Sequence, residues 1–244
     1  MHDLIRGLCT IRARGEIFMQ VIYPQNRDEV VNSLSSTTLE HVGLTMLRVL
    51  KIEGQAAVNL SLPREIGDFI HLRLLSVRNS SINGMSFSLS SLRCLQLLDL
   101  RMKLLVGSTD FEIPNMTGKS GQQRHLYNFC LHPHDAQGPN KLHPNSLKSL
   151  RTLVNIPMTF IDLNHWAQLT NLTKLGMFVD SGQNLEDIFE HDDTMFNHLQ
   201  SLTLKLRRTS FEDDLMSTLE KLSNLRILRL DKNAFEGNEI VCTG

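Results

Sequence analysis

The pattern Leu-x-x-Leu-x-x-Leu-x-Leu, with other aliphatics sometimes replacing leucine, recurs along most of the chain and restricts it to a repeat architecture. Its clearest windows are LTMLRVLKI (Leu44, Leu47, Leu50, Ile52), FIHLRLLSV (Phe69, Leu72, Leu75, Val77), LRCLQLLDL (Leu92, Leu95, Leu98, Leu100) and LSNLRILRL (Leu222, Leu225, Leu228, Leu230). LTNLTKLGM and FNHLQSLTL lie between them, and LKSLRTLVN keeps Leu147, Leu150 and Leu153 but breaks at Asn155. With the second apolar position as marker, the spacings from Leu47 to Leu225 are 25, 23, 55, 22, 27 and 26 residues. The double gap implies a degenerate unit, which QQRHLYNFCL supplies through Leu126, Phe129 and Leu131, giving about eight units.

Alternate residues of a strand point to opposite faces, so in Leu-x-Leu the leucines fill the interior and the intervening residues face outward. The leucine three positions earlier packs where the chain turns into the strand. The expected fold class is α/β: a leucine-rich-repeat solenoid, or horseshoe, with one short parallel strand per repeat. Its concave face would carry Lys51, Glu53, Ser76, Arg78, Asp99, Arg101, Cys130, His132, Gly176, Phe178, Thr203, Lys205, Arg229 and Asp231. These are the candidate partner-binding residues. A helical-repeat alternative would use the same leucines as amphipathic faces. The Leu-x-Leu endings, the LPREIG turn at Leu62 to Gly67, and spacings of 22–31 residues oppose it, because helical repeats recur every ~34–47 residues.

Outside the array, Leu4, Leu8 and Ile11 fall at helical spacing after Asp3, a suitable N-cap, and predict a short amino-terminal helix. Residues Tyr23 to Leu39 are polar and read as a connection, so residues 1–40 and 41–244 are expected to be separate regions. Asn233 follows Leu230 where its side chain can satisfy backbone groups leaving a strand. The glycine- and proline-containing stretch Gly107 to Asn145 should hold the longest loops.

A net charge of −1 supplies no overall basic field for nucleic acid, and no apolar run approaches the ~18 residues of a membrane span. Cys9, Cys94, Cys130 and Cys242 are far apart and form neither a zinc knuckle nor a disulfide framework, which suits a reducing, cytoplasmic setting. HPHD at His132 to Asp135 and EHDD at Glu190 to Asp193 offer metal donors, yet neither has tetrahedral-site or calcium-loop spacing, so both read as loop polarity. Trp166 and Phe178 are candidate aromatic anchors, although in repeat proteins an aromatic is more often convex-side packing. No nucleophile elbow or paired-carboxylate pattern appears, so a recognition function is expected and catalysis is not.

The ordered set MHDLIRGLC at residues 1–9, LPREIGDFIHLRLLSVRNSSI, RHLYNF, LKSLRTLVNI and LRILRLDKNAFEGNEIVC resembles plant nucleotide-binding leucine-rich-repeat disease-resistance proteins of the coiled-coil class. The resemblance covers nearly the whole chain. It implies that residues 1–40 are a remnant of the winged-helix end of the nucleotide-binding module plus a linker, and that 41–244 form a repeat array truncated at its carboxy terminus. It also implies a role in defence: sensing a pathogen effector or guarded host protein, or holding the nucleotide-binding module of a related receptor inactive. In the full family ADP and ATP occupy the switch. By resemblance His2 would approach the ADP phosphates and Asp3 would cap the following helix. The GxxxxGK[ST] loop that cradles phosphates is missing from this sequence, so His2 and Asp3 are expected to be relics and the chain to use no cofactor. The alternative is a constitutive repeat scaffold or a non-functional remnant.

Overall fold

The computed structural model describes residues 19–24, 47–54, 59–62, 64–85, 91–101, 103–104, 123–127, 148–157, 168–179, 195–206 and 222–231. The chain divides into two compact units, Met1–Ser120 and Gly121–Gly244. In the first unit, β1 (Met19–Ile22), β2 (Val49–Glu53), β4 (Leu74–Arg78) and β6 (Leu97–Asp99) form a parallel ladder in that order. A second parallel ladder joins β3 (Asn59–Leu62), β5 (Ser81–Met85) and β7 (Lys103–Leu104). The second unit stacks β8 (His125–Tyr127), β9 (Thr152–Pro157), β10 (Lys174–Val179), β11 (Ser201–Leu206) and β12 (Ile227–Asp231), all parallel. Among the described residues, helix is confined to short 3-10 turns such as Arg64–Asp68 and Met195–His198.

Register explains why the leucine spacing works. Leu50, Leu75 and Leu98 are ladder partners, as are Leu126, Leu153, Leu175, Leu202 and Leu228, so each strand places the same pattern position beside its neighbour. Leu50, Ile52, Leu75, Val77, Leu98, Leu175, Leu202 and Leu204 are fully buried. Burying each such side chain contributes roughly 1.5–3 kcal/mol. The first and second apolar positions of a repeat are joined by a tight turn, in which the amides of Leu72, Leu95, Leu172, Leu199 and Leu225 donate to the carbonyls of Phe69, Leu92, Leu169, Phe196 and Leu222. Those turns bring the two residues onto one side of the chain, which is why a three-residue spacing precedes the strand and a two-residue spacing lies within it.

Neighbouring repeats are then stitched at the residue before each strand. The Arg48 carbonyl accepts both the Arg73 and Leu74 amides, and Arg73, Arg124, Arg151, Thr173 and Gln200 repeat this double acceptance one unit further on. Asn171 Nδ2 donates to the Lys148 carbonyl at 2.9 Å and Asn224 Nδ2 to the Asn197 carbonyl at 2.6 Å, so the asparagines of LTNL and LSNL add a side-chain tie between units.

Three expectations change. The strand ladder reaches back to Met19, before the expected boundary at residue 41, because Gln20 and Ile22 continue the register of Leu50 and Ile52. The degenerate unit is present but shifted by three residues. Leu126 pairs with Leu153 and so holds the third apolar position, leaving buried Gln123 at the marker where leucine stands elsewhere. Its spacings to Leu95 and Leu150 are therefore 28 and 27 residues, where a marker at Leu126 would give 31 and 24. The break at Asn155 is a β-bulge: one added residue in the left-handed conformation, with φ 61°, lets Ile156 take up the fourth apolar position opposite Met177. Asparagine tolerates that conformation better than most residues.

Leu228 and Leu230 follow the inward pattern yet are each 40% exposed, because among the described residues β12 has a ladder partner only in β11. The proposed amino-terminal helix and Asn233 lie outside the described residues.

Candidate functional site: the outward strand face

Because strand side chains alternate, the residues between the core leucines form rows across each ladder. In the first unit Lys51, Ser76 and Asp99 are successive partners, and Glu53 pairs with Arg78. The middle of this face is closed by its own charges. Asp99 is 1% exposed and accepts a hydrogen bond from Arg78 Nε at 2.7 Å. It also accepts from Arg78 Nη2 and, at 3.0 Å each, from Arg101 Nε and Nη2. One buried carboxylate thus holds two guanidiniums in planar, charge-assisted bonds that fix the direction of both arginines. Arg78 remains 42% exposed at its side chain, so its outer edge is open.

At the edge of that face, Gly54 leaves β2 and donates its amide to the Arg78 carbonyl and to Ser80 Oγ, both at 3.1 Å. Buried Ser80 in turn donates to the Arg78 carbonyl at 2.9 Å. A Cβ on Gly54 would collide with Ser80 Oγ, which explains glycine there. Asn79, with φ 51°, makes the turn that presents Ser80.

In the second unit one row joins Gly176, Thr203 and Arg229, and the next joins Pro157, Phe178, Lys205 and Asp231. Gly176 faces the bulge: a Cβ there would stand 3.1 Å from Val154 Cγ1, so the glycine makes room for the added residue on β9. Phe178 is 1% exposed, so of its two readings it packs rather than standing open as an aromatic anchor. Its ring lies beneath Lys205, whose Nζ is 5.0 Å from the centroid. Lys205 is itself 5% exposed, and its Nζ has no hydrogen-bond partner. Burial lowers its pKa from 10.5 and the Asp231 carboxylate opposes part of that effect. Phe178 attracts the ammonium electrostatically, giving the charge a face to rest on without an acceptor.

The shifted register also alters the candidate set. Tyr127, partnered with Val154, occupies the outward position expected for Cys130, and His132 lies outside the described residues along with His2, Asp3, Trp166 and both metal-donor clusters. The earlier outward row was missed: His125, Thr152, Lys174, Ser201 and Ile227 are ladder partners two residues before the row of Thr203. Counting the strand alternation backward from each inward leucine would have found it. His125 Nδ1 lies 3.0 Å from Thr152 Oγ1, and burial, then Arg151 and Arg124, lower its pKa. Among the described residues, no three His, Cys, Asp or Glu side chains converge as metal ligands, and no helix is long and apolar enough to cross a membrane.

No protein-family model matches the chain. Curated proteins do match it, each along its entire length. One Arabidopsis thaliana disease-resistance protein is 28% identical, with 32% of its own length covered, and another is 24% identical, with 34% covered. An RPP8-like disease-resistance protein of the same plant is 24% identical, with 36% covered. Among solved structures, a leucine-rich-repeat protein of Leptospira interrogans aligns with a TM-score of 0.40 at 16% identity, covering 78% of this chain and 50% of that one. The chain is thus similar along its whole length to Arabidopsis thaliana disease-resistance proteins, spans about a third of the length of these relatives, and folds as a leucine-rich-repeat array.

Proposed function

We propose that this chain is a protein-recognition module of a plant intracellular immune receptor of the coiled-coil class, acting from the cytoplasm in the defence response. The observation that carries the reading is similarity along the whole chain to disease-resistance proteins. The ladders support it physically: the strands that have a neighbour on both sides place their patterned apolar residues inward and residues of differing chemistry outward, so partner choice can change without disturbing the core. The partners are a pathogen effector, a guarded host protein, or the nucleotide-binding module of a related receptor, which the array would hold inactive. Lys51, Glu53, Arg78, Arg101, Thr203, Arg229 and Asp231 are the accessible contact residues, with Ser76, Asp99 and Lys205 set deeper.

Co-expression in leaf tissue with a full-length receptor of this class tests the proposal, scoring pull-down and cell-death signalling together. Binding with suppressed or enhanced signalling is the expected result. A folded chain that does neither would move the reading to a constitutive scaffold or a remnant.

A further inference from the structure

The first unit's outward face begins one strand earlier than the leucine windows indicate. Val21 on β1 is the ladder partner of Lys51, and the same row continues through Ser76 to Asp99, so it crosses four strands. The next row holds Glu53 and Arg78 as partners. Tyr23 directly follows β1. Buried Ile22 and Pro24 on either side of it keep the strand alternation, so Tyr23 shares the outward side of Val21, and it is 47% exposed. It opens the stretch that the sequence presents as a polar connection, where its neighbours hide it.

The charged groups of this face differ in how they are held. Asp99 is buried and divides its carboxylate between Arg78 and Arg101, so the negative charge that fixes Arg78 does not cancel it. Asp99 engages Nε and Nη2 of Arg78, whose side chain is still 42% exposed. Glu53 is the ladder neighbour of Arg78 yet makes no ion pair with it, and Lys51 has no ion-pair or hydrogen-bond partner among the described residues. An arginine set in place beforehand loses less side-chain freedom on binding than a mobile one. Tyrosine and arginine are also among the residue types that carry most of the energy at protein interfaces.

We infer that Val21, Tyr23, Lys51 and Arg78 form a docking centre for a protein segment that presents one carboxylate beside an apolar side chain. This rests on the reading of the strand face as a recognition surface and names the chemistry of its partner. The carboxylate meets the fixed guanidinium of Arg78, with the Lys51 ammonium one strand away, and the apolar side chain covers Tyr23 and Val21 on β1. Two strand spacings separate β1 from β4, about 10 Å, which matches about three residues of extended chain between the two groups. Glu53 lies between these positions and repels a second carboxylate there. A nucleic acid fits less well, because Glu53 opposes its successive phosphates.

The test selects a displayed library of random peptides on the full chain. Recovered sequences should be enriched in Asp or Glu about three residues from Phe, Tyr, Leu or Ile. Fluorescence anisotropy of a recovered peptide should show about tenfold weaker binding to Arg78→Ala and to Tyr23→Ala, and about threefold weaker binding to Lys51→Ala. Arg229→Ala in the second unit should change it by less than about twofold. Arg78→Ala strips Asp99 of a partner; should it fail to fold, Tyr23→Ala and Lys51→Ala, which alter surface groups, read the same loss. A library that yields no binding peptide, recovery of peptides without an acidic residue, displacement by single-stranded RNA, or affinity indifferent to Tyr23→Ala and Lys51→Ala would overturn the inference. Self-association of the chain that Tyr23→Ala abolishes would assign the face to a second copy and overturn it as well. No receptor is present in this assay, so failure of the immune reading in leaf and failure of the docking inference are separately visible.

Discussion

At Asp99 a single carboxylate decides the arrangement of the first unit's outward face. It is buried, and both its oxygens are engaged by Arg78 and Arg101. Asp99→Asn keeps the shape but leaves two guanidiniums facing a neutral amide, one of whose ends is a donor. The expected loss is about 1–3 kcal/mol, at the low end of what breaking a buried pair costs because Arg78 is partly solvated. Urea denaturation of the two proteins measures it, and equal midpoints would show the cluster to be energetically neutral.

Lys205 presents the opposite case, a buried cation with an aromatic face but no acceptor. Its pKa is lowered from 10.5, so between the folded value and 10.5 the unfolded chain binds more protons and stability rises with pH. Lys205→Met should therefore be more stable than the parent at pH 7, by about 1–2 kcal/mol, with the advantage shrinking as pH approaches 10.5. His125 titrates in the acid range with the same sign. Its pKa is below 6.5 in the folded chain, so its contribution is complete above that value and declines as pH falls through it. Thermal melts at pH 7.5 and 5.5, pH values bracketing about 6.5, should differ less for His125→Gln than for the parent.

For a strand, the same leucine position has different worth according to its neighbours. Leu175 and Leu228 occupy equivalent pattern positions, linked in register through Leu202. Leu175 is fully buried between β9 and β11, while Leu228 is 40% exposed on β12. Leu175→Ala should cost about 2–5 kcal/mol and Leu228→Ala less than half as much. Denaturant midpoints decide between this and a purely sequence-based expectation of equal losses. The pattern was legible at strand level because alternation within a strand is a backbone property. The degenerate strand β8 was not, since Gln123 and Leu126 fit two registers three residues apart and only pairing with β9 selects one. The bulge at Asn155 was visible only as an interruption. Its resolution depends on a left-handed backbone, with Gly176 on the facing strand giving it room.

For the whole molecule, stability in a stacked array is a sum of nearest-neighbour interfaces. Leu75→Asp places a charge in the first unit's core between Leu50 and Leu98 and should unfold that ladder. Amide hydrogen exchange should show protection lost first in β2, β4 and β6, the strands that share that interface. A thermal midpoint unchanged from the parent would refute this.

The leucine spacing alone determined that the chain builds parallel strands with buried leucines and an outward row of variable residues, because periodicity encodes which face each side chain takes. The tertiary structure decided which outward residues are open. Phe178, Lys205 and Asp99 share the outward pattern positions of the half-buried Asp231 and Lys51 yet are buried, and Arg124 and Arg151 come to the starts of adjacent strands although separated by 27 residues. Burial and charge clustering depend on what the next repeat places beside a residue, and that follows from strand register rather than local sequence.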